Sequence, residues 1–171
     1  MRVLVTAASR HGGTAEMAGW ISDGLRVEGH DAVVLDPDAV LSLDGFDAVI
    51  LGSGVYAGHW LRAARSFVDR FGRELVARPV WIYSSGPVGD PRRPSGGPAD
   101  GETMRLASGA REHRVFAGRI DRDTMGIGER AVIMAMRVTD RDDRPRDEVA
   151  AWASQIAAAL GVIARQPELT R

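Results

Sequence analysis

Apolar residues fall along this chain in short unbroken runs, separated by longer stretches where they recur every three or four positions. The runs are Val3-Leu4-Val5, Ala32-Val33-Val34-Leu35, Ala48-Val49-Ile50-Leu51, Val80-Trp81-Ile82-Tyr83 and the mixed His113-Arg114-Val115-Phe116-Ala117. Short runs rich in β-branched residues read as strands buried in a parallel sheet. Between the first two, Met17, Ile21 and Leu25 are four apart and lead to Gly29, which predicts a helix with a glycine C-cap. Trp60, Ala64, Phe67, Val68 and Phe71 predict a helix that ends before Pro79, and a short helix is expected around Glu102 to Ala107. Val149, Trp152, Ala153, Ile156, Leu160 and Ile163 form one stripe, which predicts a last helix from about Arg146 to Ala164. Five strands alternating with helices make an α/β protein, an open doubly wound parallel sheet with helices on both faces.

Three of the strands run into polar, glycine-bearing loops. After the first, Thr6 to Thr14 holds the hydroxyls of Ser9 and Thr14, the charge of Arg10, His11, and the adjacent Gly12 and Gly13. A helix follows at once. Strand, glycine loop, helix is the order of a phosphate cradle, because the first N–H groups of a helix lack intrahelical partners and its dipole favours an anion. The same residues also fit an ordinary turn in which Ser and Thr cap the helix. The third strand opens into Gly52-Ser53-Gly54-Val55-Tyr56-Ala57-Gly58-His59, and the fourth into Ser84-Ser85-Gly86-Pro87. Ligands of open α/β sheets sit outside the carboxyl ends of the strands, so the three loops are expected at one edge. Gly52 to Ala57 formally matches the dinucleotide pattern G-x-G-x-x-G/A, but it follows the wrong strand and no helix starts on it. A receiver domain is excluded, since Ala7, Ala8 and Gly52 stand where acidic residues are needed.

Composition narrows the chemistry. The chain of 171 residues has no Cys, which removes thiol redox, disulfides and thiolate metal sites. It has no Lys either, so Schiff-base chemistry and a P-loop lysine are impossible. Redox work would therefore need a bound cofactor. A formal charge of −1 gives no electrostatic reason to expect nucleic acid, and no apolar run is long enough to span a membrane. One cytoplasmic domain over residues 1–171 is expected.

Ser9-Arg10-His11-Gly12-Gly13-Thr14, continued by Ala15-Glu16-Met17-Ala18, resembles the phosphate loop of flavodoxin-like proteins. Gly54 to His59 and Ser84 to Pro87 resemble the two loops that flank the flavin ring in that family, and the resemblance covers nearly the whole chain. It is nearest to the group that includes menaquinone-dependent protoporphyrinogen dehydrogenase. Two stretches carry that finer likeness: His11-Gly12-Gly13-Thr14, where flavodoxins proper usually end their loop in Thr-Gly-Asn-Thr, and Val115-Phe116-Ala117-Gly118-Arg119-Ile120-Asp121.

The resemblance implies a five-stranded parallel sheet of order 2-1-3-4-5 and the cofactor FMN. Its phosphate would lie on the N–H groups from Arg10 to Thr14, with the Ser9 and Thr14 hydroxyls as donors. Val55, Tyr56, Ala57 and Gly58 would flank the flavin, with Tyr56 either packed on the ring or covering the next helix as a rim aromatic. Ser84, Ser85 and Gly86 would bring backbone groups to its pyrimidine edge. Trp60 is assigned to the core, His30 and His113 to structural roles, and His59 either to the flavin or substrate or to an exposed loop. No general acid–base pair stands out, and no catalytic residue is assigned.

The implied activity is an FMN-dependent oxidoreductase, with a porphyrinogen or quinone as electron partner. An electron carrier without its own substrate and a flavin-free binding module remain alternatives. Two stretches stay open. Residues 86–101 carry four prolines and five glycines, which reads as a lid or a disordered excursion. A helical insertion is expected at about 121–140, where Met125, Met134 and Met136 lie in an apolar stretch. It either packs on the domain or offers a surface to a quinone, a porphyrin, a membrane or a second copy of the chain.

Overall fold

The computed structural model describes residues 1–86, 100–120, 141–142 and 144–165. Most of the expected lid, and all of the expected insertion, lie outside the described residues. In chain order the elements are β1 (Arg2–Ala8), α1 (Gly13–Val27), β2 (Asp31–Leu35), a 3-10 turn (Pro37–Ala39), β3 (Ala48–Tyr56), β4 (His59–Trp60), α2 (Arg62–Val76), β5 (Val80–Gly86), α3 (Gly101–Ser108), β6 (Glu112–Ala117), β7 (Arg119–Ile120), β8 (Arg141–Asp142) and α4 (Arg146–Arg165).

Five strands pair in parallel in the order β2-β1-β3-β5-β6, and β4 turns back antiparallel on β3. With that two-residue strand set aside, this is the expected 2-1-3-4-5 arrangement. Alternate residues of each strand serve opposite faces. Val3, Val5, Ile50, Trp81 and Tyr83 pack against α1 and α4 through Met17, Ile21, Leu25, Val149, Trp152 and Ile156. Leu4, Val49, Leu51, Val80 and Ile82 pack against α2 and α3 through Phe67, Phe71, Leu75 and Met104. The short runs are apolar throughout because both faces of the sheet are covered. β7 and β8 form a small antiparallel pair, so the chain on either side of residues 121–140 is brought together.

Three boundaries differ from expectation for one reason. β1 continues to Ala8, β3 to Tyr56 and β5 to Gly86, so much of what reads as polar loop is strand. Ser53 and Ser84 are fully buried there, and each has a hydrogen-bond partner. A buried serine with a partner does not end a strand. The helix expected from Trp60 starts instead at Arg62, and Trp60 belongs to β4. The other termini follow the sequence: Gly29, with φ +85°, lies just past the end of α1, and α4 begins at Arg146.

Candidate functional site

β1 delivers the chain to the edge of the sheet, and α1 starts without help from a side chain. Its N-cap is Gly12, in the left-handed region with φ 81° and ψ −24°, and no side chain caps the helix. Only glycine adopts that conformation freely. The first helical bond at this end runs from Glu16 N to Gly12 O at 2.9 Å, leaving the amides of Gly13, Thr14 and Ala15 ahead of it. Ser9 is half-buried and Thr14 buried, with a relative exposure of 5%. The Thr14 hydroxyl has no hydrogen-bond partner among the described residues. The reading of Ser9 or Thr14 as an ordinary cap is thus overturned: Gly12 occupies the cap position, and no side chain of the described residues caps the helix.

Glu16, in the first turn, would oppose an anion here, but its carboxylate is held by Arg144 at 2.6 Å. The Arg144 side chain is 6% exposed; its guanidinium also donates to Gly13 O at 3.4 Å and lies 4.9 Å over the Trp20 ring. A cation from the chain just before α4 therefore neutralises the acid beside the open amides.

Thr14 rests on β3. A side chain at Gly54 would come within 3.3 Å of Thr14 Oγ1, and one at Gly52 would overlap the ring and hydroxyl of Tyr83. Tyr83 crosses Gly52 from β5 and donates from its hydroxyl to Thr14 O at 3.0 Å. The paired glycines thus answer two close approaches, not a dinucleotide turn.

The second loop is a hairpin. Val55 and Tyr56 pair with Trp60 and His59 across a two-residue turn of Ala57 (φ 50°) and Gly58 (φ 83°). Two positive φ values give the turn whose twist suits such a ribbon. The half-buried Tyr56 at its tip meets the first loop: the Arg10 guanidinium lies 5.5 Å over its ring, and His11 is 6.0 Å away ring to ring. The third loop is approached closely by backbone. Gly118 N donates to Gly86 O at 2.8 Å, and a side chain at Gly118 would meet Gly86 backbone at 3.0 Å.

Ser84 turns its hydroxyl inward, towards its neighbours. Trp60 Nε1 donates to Ser84 Oγ at 2.7 Å, and Ser84 Oγ lies 2.7 Å from His113 Nε2. The indole N–H donates to the serine oxygen, and which of Ser84 Oγ and His113 Nε2 donates to the other follows the tautomer of the ring. Burial lowers the His113 pKa, Glu102 works against that, and Arg105 adds to it. At the other side of Trp60, the Asp100 carboxylate accepts from Trp60 N at 3.1 Å, and its Oδ2 is 3.7 Å from His59 Nδ1.

The structure therefore brings Arg10, His11 and Thr14 against Tyr56 and the Gly54 floor. Ser84, Ser85 and Gly86 end the neighbouring strand, with Ser84 contributing only main chain to that edge. Sequence reasoning missed Tyr83, Arg144 and Asp100. Tyr83 reads as an apolar strand residue and Arg144 as one arginine among many; only the G-x-G spacing hinted that something crosses β3. Among the described residues no group of acidic or histidine side chains could hold a metal ion, and no helix is long and apolar enough to cross a membrane.

A sequence model of the flavodoxin domain matches residues 4–146. No curated protein sequence matches the chain. Among solved structures, it is similar to a cysteine-to-serine mutant of flavodoxin from Pseudomonas aeruginosa, with TM-score 0.61 and 16% identity over 94% of this chain and 99% of that one. It is also similar to oxidised flavodoxin 1 from Bacillus cereus, with TM-score 0.60 and 17% identity over 98% of this chain and 100% of that one. For the rubredoxin oxygen:oxidoreductase of Desulfovibrio gigas the TM-score is 0.65 and the identity 14%, over 96% of this chain but 37% of that one.

Proposed function

The chain belongs to the flavodoxin-domain family, and from that premise we propose that it binds FMN at the start of α1 and works as a redox protein. The observation that carries this is the open helix start: left-handed Gly12 at the cap, no capping side chain, and the hydroxyl of buried Thr14 without a partner among the described residues. Those groups fit a phosphate. Backbone amides and a helix end neutralise it without lysine, and Arg144 removes the opposing charge of Glu16. Bound FMN would supply electron or hydride acceptance, which no side chain of this Cys-free protein offers.

The protein's part is binding and tuning. Ser9 and the amides from Arg10 to Thr14 would take the phosphate, with Ala15 N–H beside them. Val55, Tyr56, Ala57 and Gly58 would flank the ring, the Tyr56 face disfavouring negative charge on it. Ser84, Ser85 and Gly86 would offer main-chain groups to its polar edge. The finer reading is an oxidoreductase of the protoporphyrinogen-dehydrogenase type with a quinone as acceptor. Its support is the sequence of His11 to Thr14 and of Val115 to Asp121. An electron carrier is the second reading, favoured by flavodoxins of nearly the same length as this chain.

Titration of the purified protein with FMN, followed by quenching of flavin fluorescence, tests the cofactor. One-to-one saturation is expected, and unquenched fluorescence would leave a flavin-free binding module. Anaerobic reduction and mixing with a menaquinone analogue separates the other two. Rapid reoxidation supports the quinone-linked enzyme, and reoxidation by redox proteins alone supports the carrier.

A further inference from the structure

We infer that Tyr83 is a positioning residue that sets the protein's preference for a phosphorylated flavin, through a hydrogen bond to the first turn of α1. The inference rests on the FMN reading. Tyr83 is fully buried, and its ring is held edge-on by Phe116 and Trp152 at centroid distances of 6.2 and 6.0 Å. The ring lies over Gly52, where any side chain would displace it. Its hydroxyl reaches Thr14 O at 3.0 Å, joining residues 69 apart in the chain.

The geometry has a specific consequence. Thr14 O and Ala15 N–H belong to one planar peptide unit, so fixing the oxygen fixes the direction of the N–H. That N–H is among the amides ahead of the first helical bond from Glu16. Above it, Thr14 Oγ1 is set by the absence of a side chain at Gly54. One residue thus has its carbonyl tied from β5 and its hydroxyl seated on β3, which fixes the turn that would face the phosphate. A carbonyl in a helix keeps a lone pair for a second donor, so the bond leaves the helical ladder intact. Burial also holds the phenol far above its ordinary ionisation range, so the donor is present at every working pH.

The test is the ratio of affinities for FMN and riboflavin, which differ only in the phosphate, measured for wild type, Tyr83→Phe and Tyr83→Leu. Phe keeps the ring and removes the hydroxyl; Leu removes both and guards against a misleading result from one variant. A general loss of stability would weaken both ligands together. Loss of the positioning bond lowers the FMN-to-riboflavin ratio by roughly tenfold, as expected for one hydrogen bond. A wild type that prefers FMN, with variants that keep the same ratio, overturns the role of Tyr83 alone. A wild type that binds FMN no better than riboflavin overturns the phosphate site, and this inference with it.

Discussion

Thr14 joins the whole site at the scale of one residue. It is buried, and its hydroxyl has no partner among the described residues, so the group is available to a ligand at the open end of α1. Thr14→Val keeps the shape and removes the hydroxyl. It should weaken FMN binding by about 1–3 kcal/mol, because a phosphate oxygen would lose its donor, and leave the flavin-free protein about as stable as before. Paired titration and thermal melts check this, and an unchanged dissociation constant moves the phosphate elsewhere. Gly52 makes the opposite kind of demand. Gly52→Ala places a methyl inside the Tyr83 ring, and overpacking of this sort costs about 1–3 kcal/mol. The melting temperature should fall even without flavin. A variant as stable as wild type would mean that the ring does not need the gap.

Among elements, β4, β5 and β6 meet through Trp60, Ser84 and His113, and this contact has a pH signature. The folded-state pKa of His113 lies below the ordinary value of 6.5, through burial and the Arg105 charge and against Glu102. Between the two values the unfolded chain binds more protons, so stability rises with pH. The protein should be most stable above about pH 6.5 on this account and lose stability as the pH falls towards the folded value. His113→Gln should remove that part of the slope in melts from about pH 5 to 8. An identical slope would contradict the buried neutral ring. This contact was illegible in the sequence, where Ser84 reads as a loop hydroxyl and His113 as an isolated strand residue. The strands and long helices were legible, because unbroken apolar runs and stripes three and four apart follow directly from burial on two faces or one. Strand ends were not, since Gly52, Ser53, Gly54 and Ser84 look like loop by composition and are held in the sheet by partners remote in sequence.

For the molecule as a whole, the sheet order and the loops at its carboxyl edge were readable from the alternation of elements, and the flavodoxin-domain match over residues 4–146 agrees with them. Tyr83 and Arg144 were not, because each acts on the start of α1 from a distant part of the chain. Binding should also report globally. FMN at about 100 times its dissociation constant should add about 2.7 kcal/mol to stability, and riboflavin at the same concentration less. A rise in melting temperature that is equal for the two flavins would contradict a phosphate site. The central claim is tested most directly by a crystal structure of the protein grown with FMN. The account predicts the phosphate on the amides at the start of α1, with Thr14 Oγ1 as a ligand and the ring beside Tyr56. A flavin phosphate bound elsewhere, or a helix start closed by the chain itself, would contradict it.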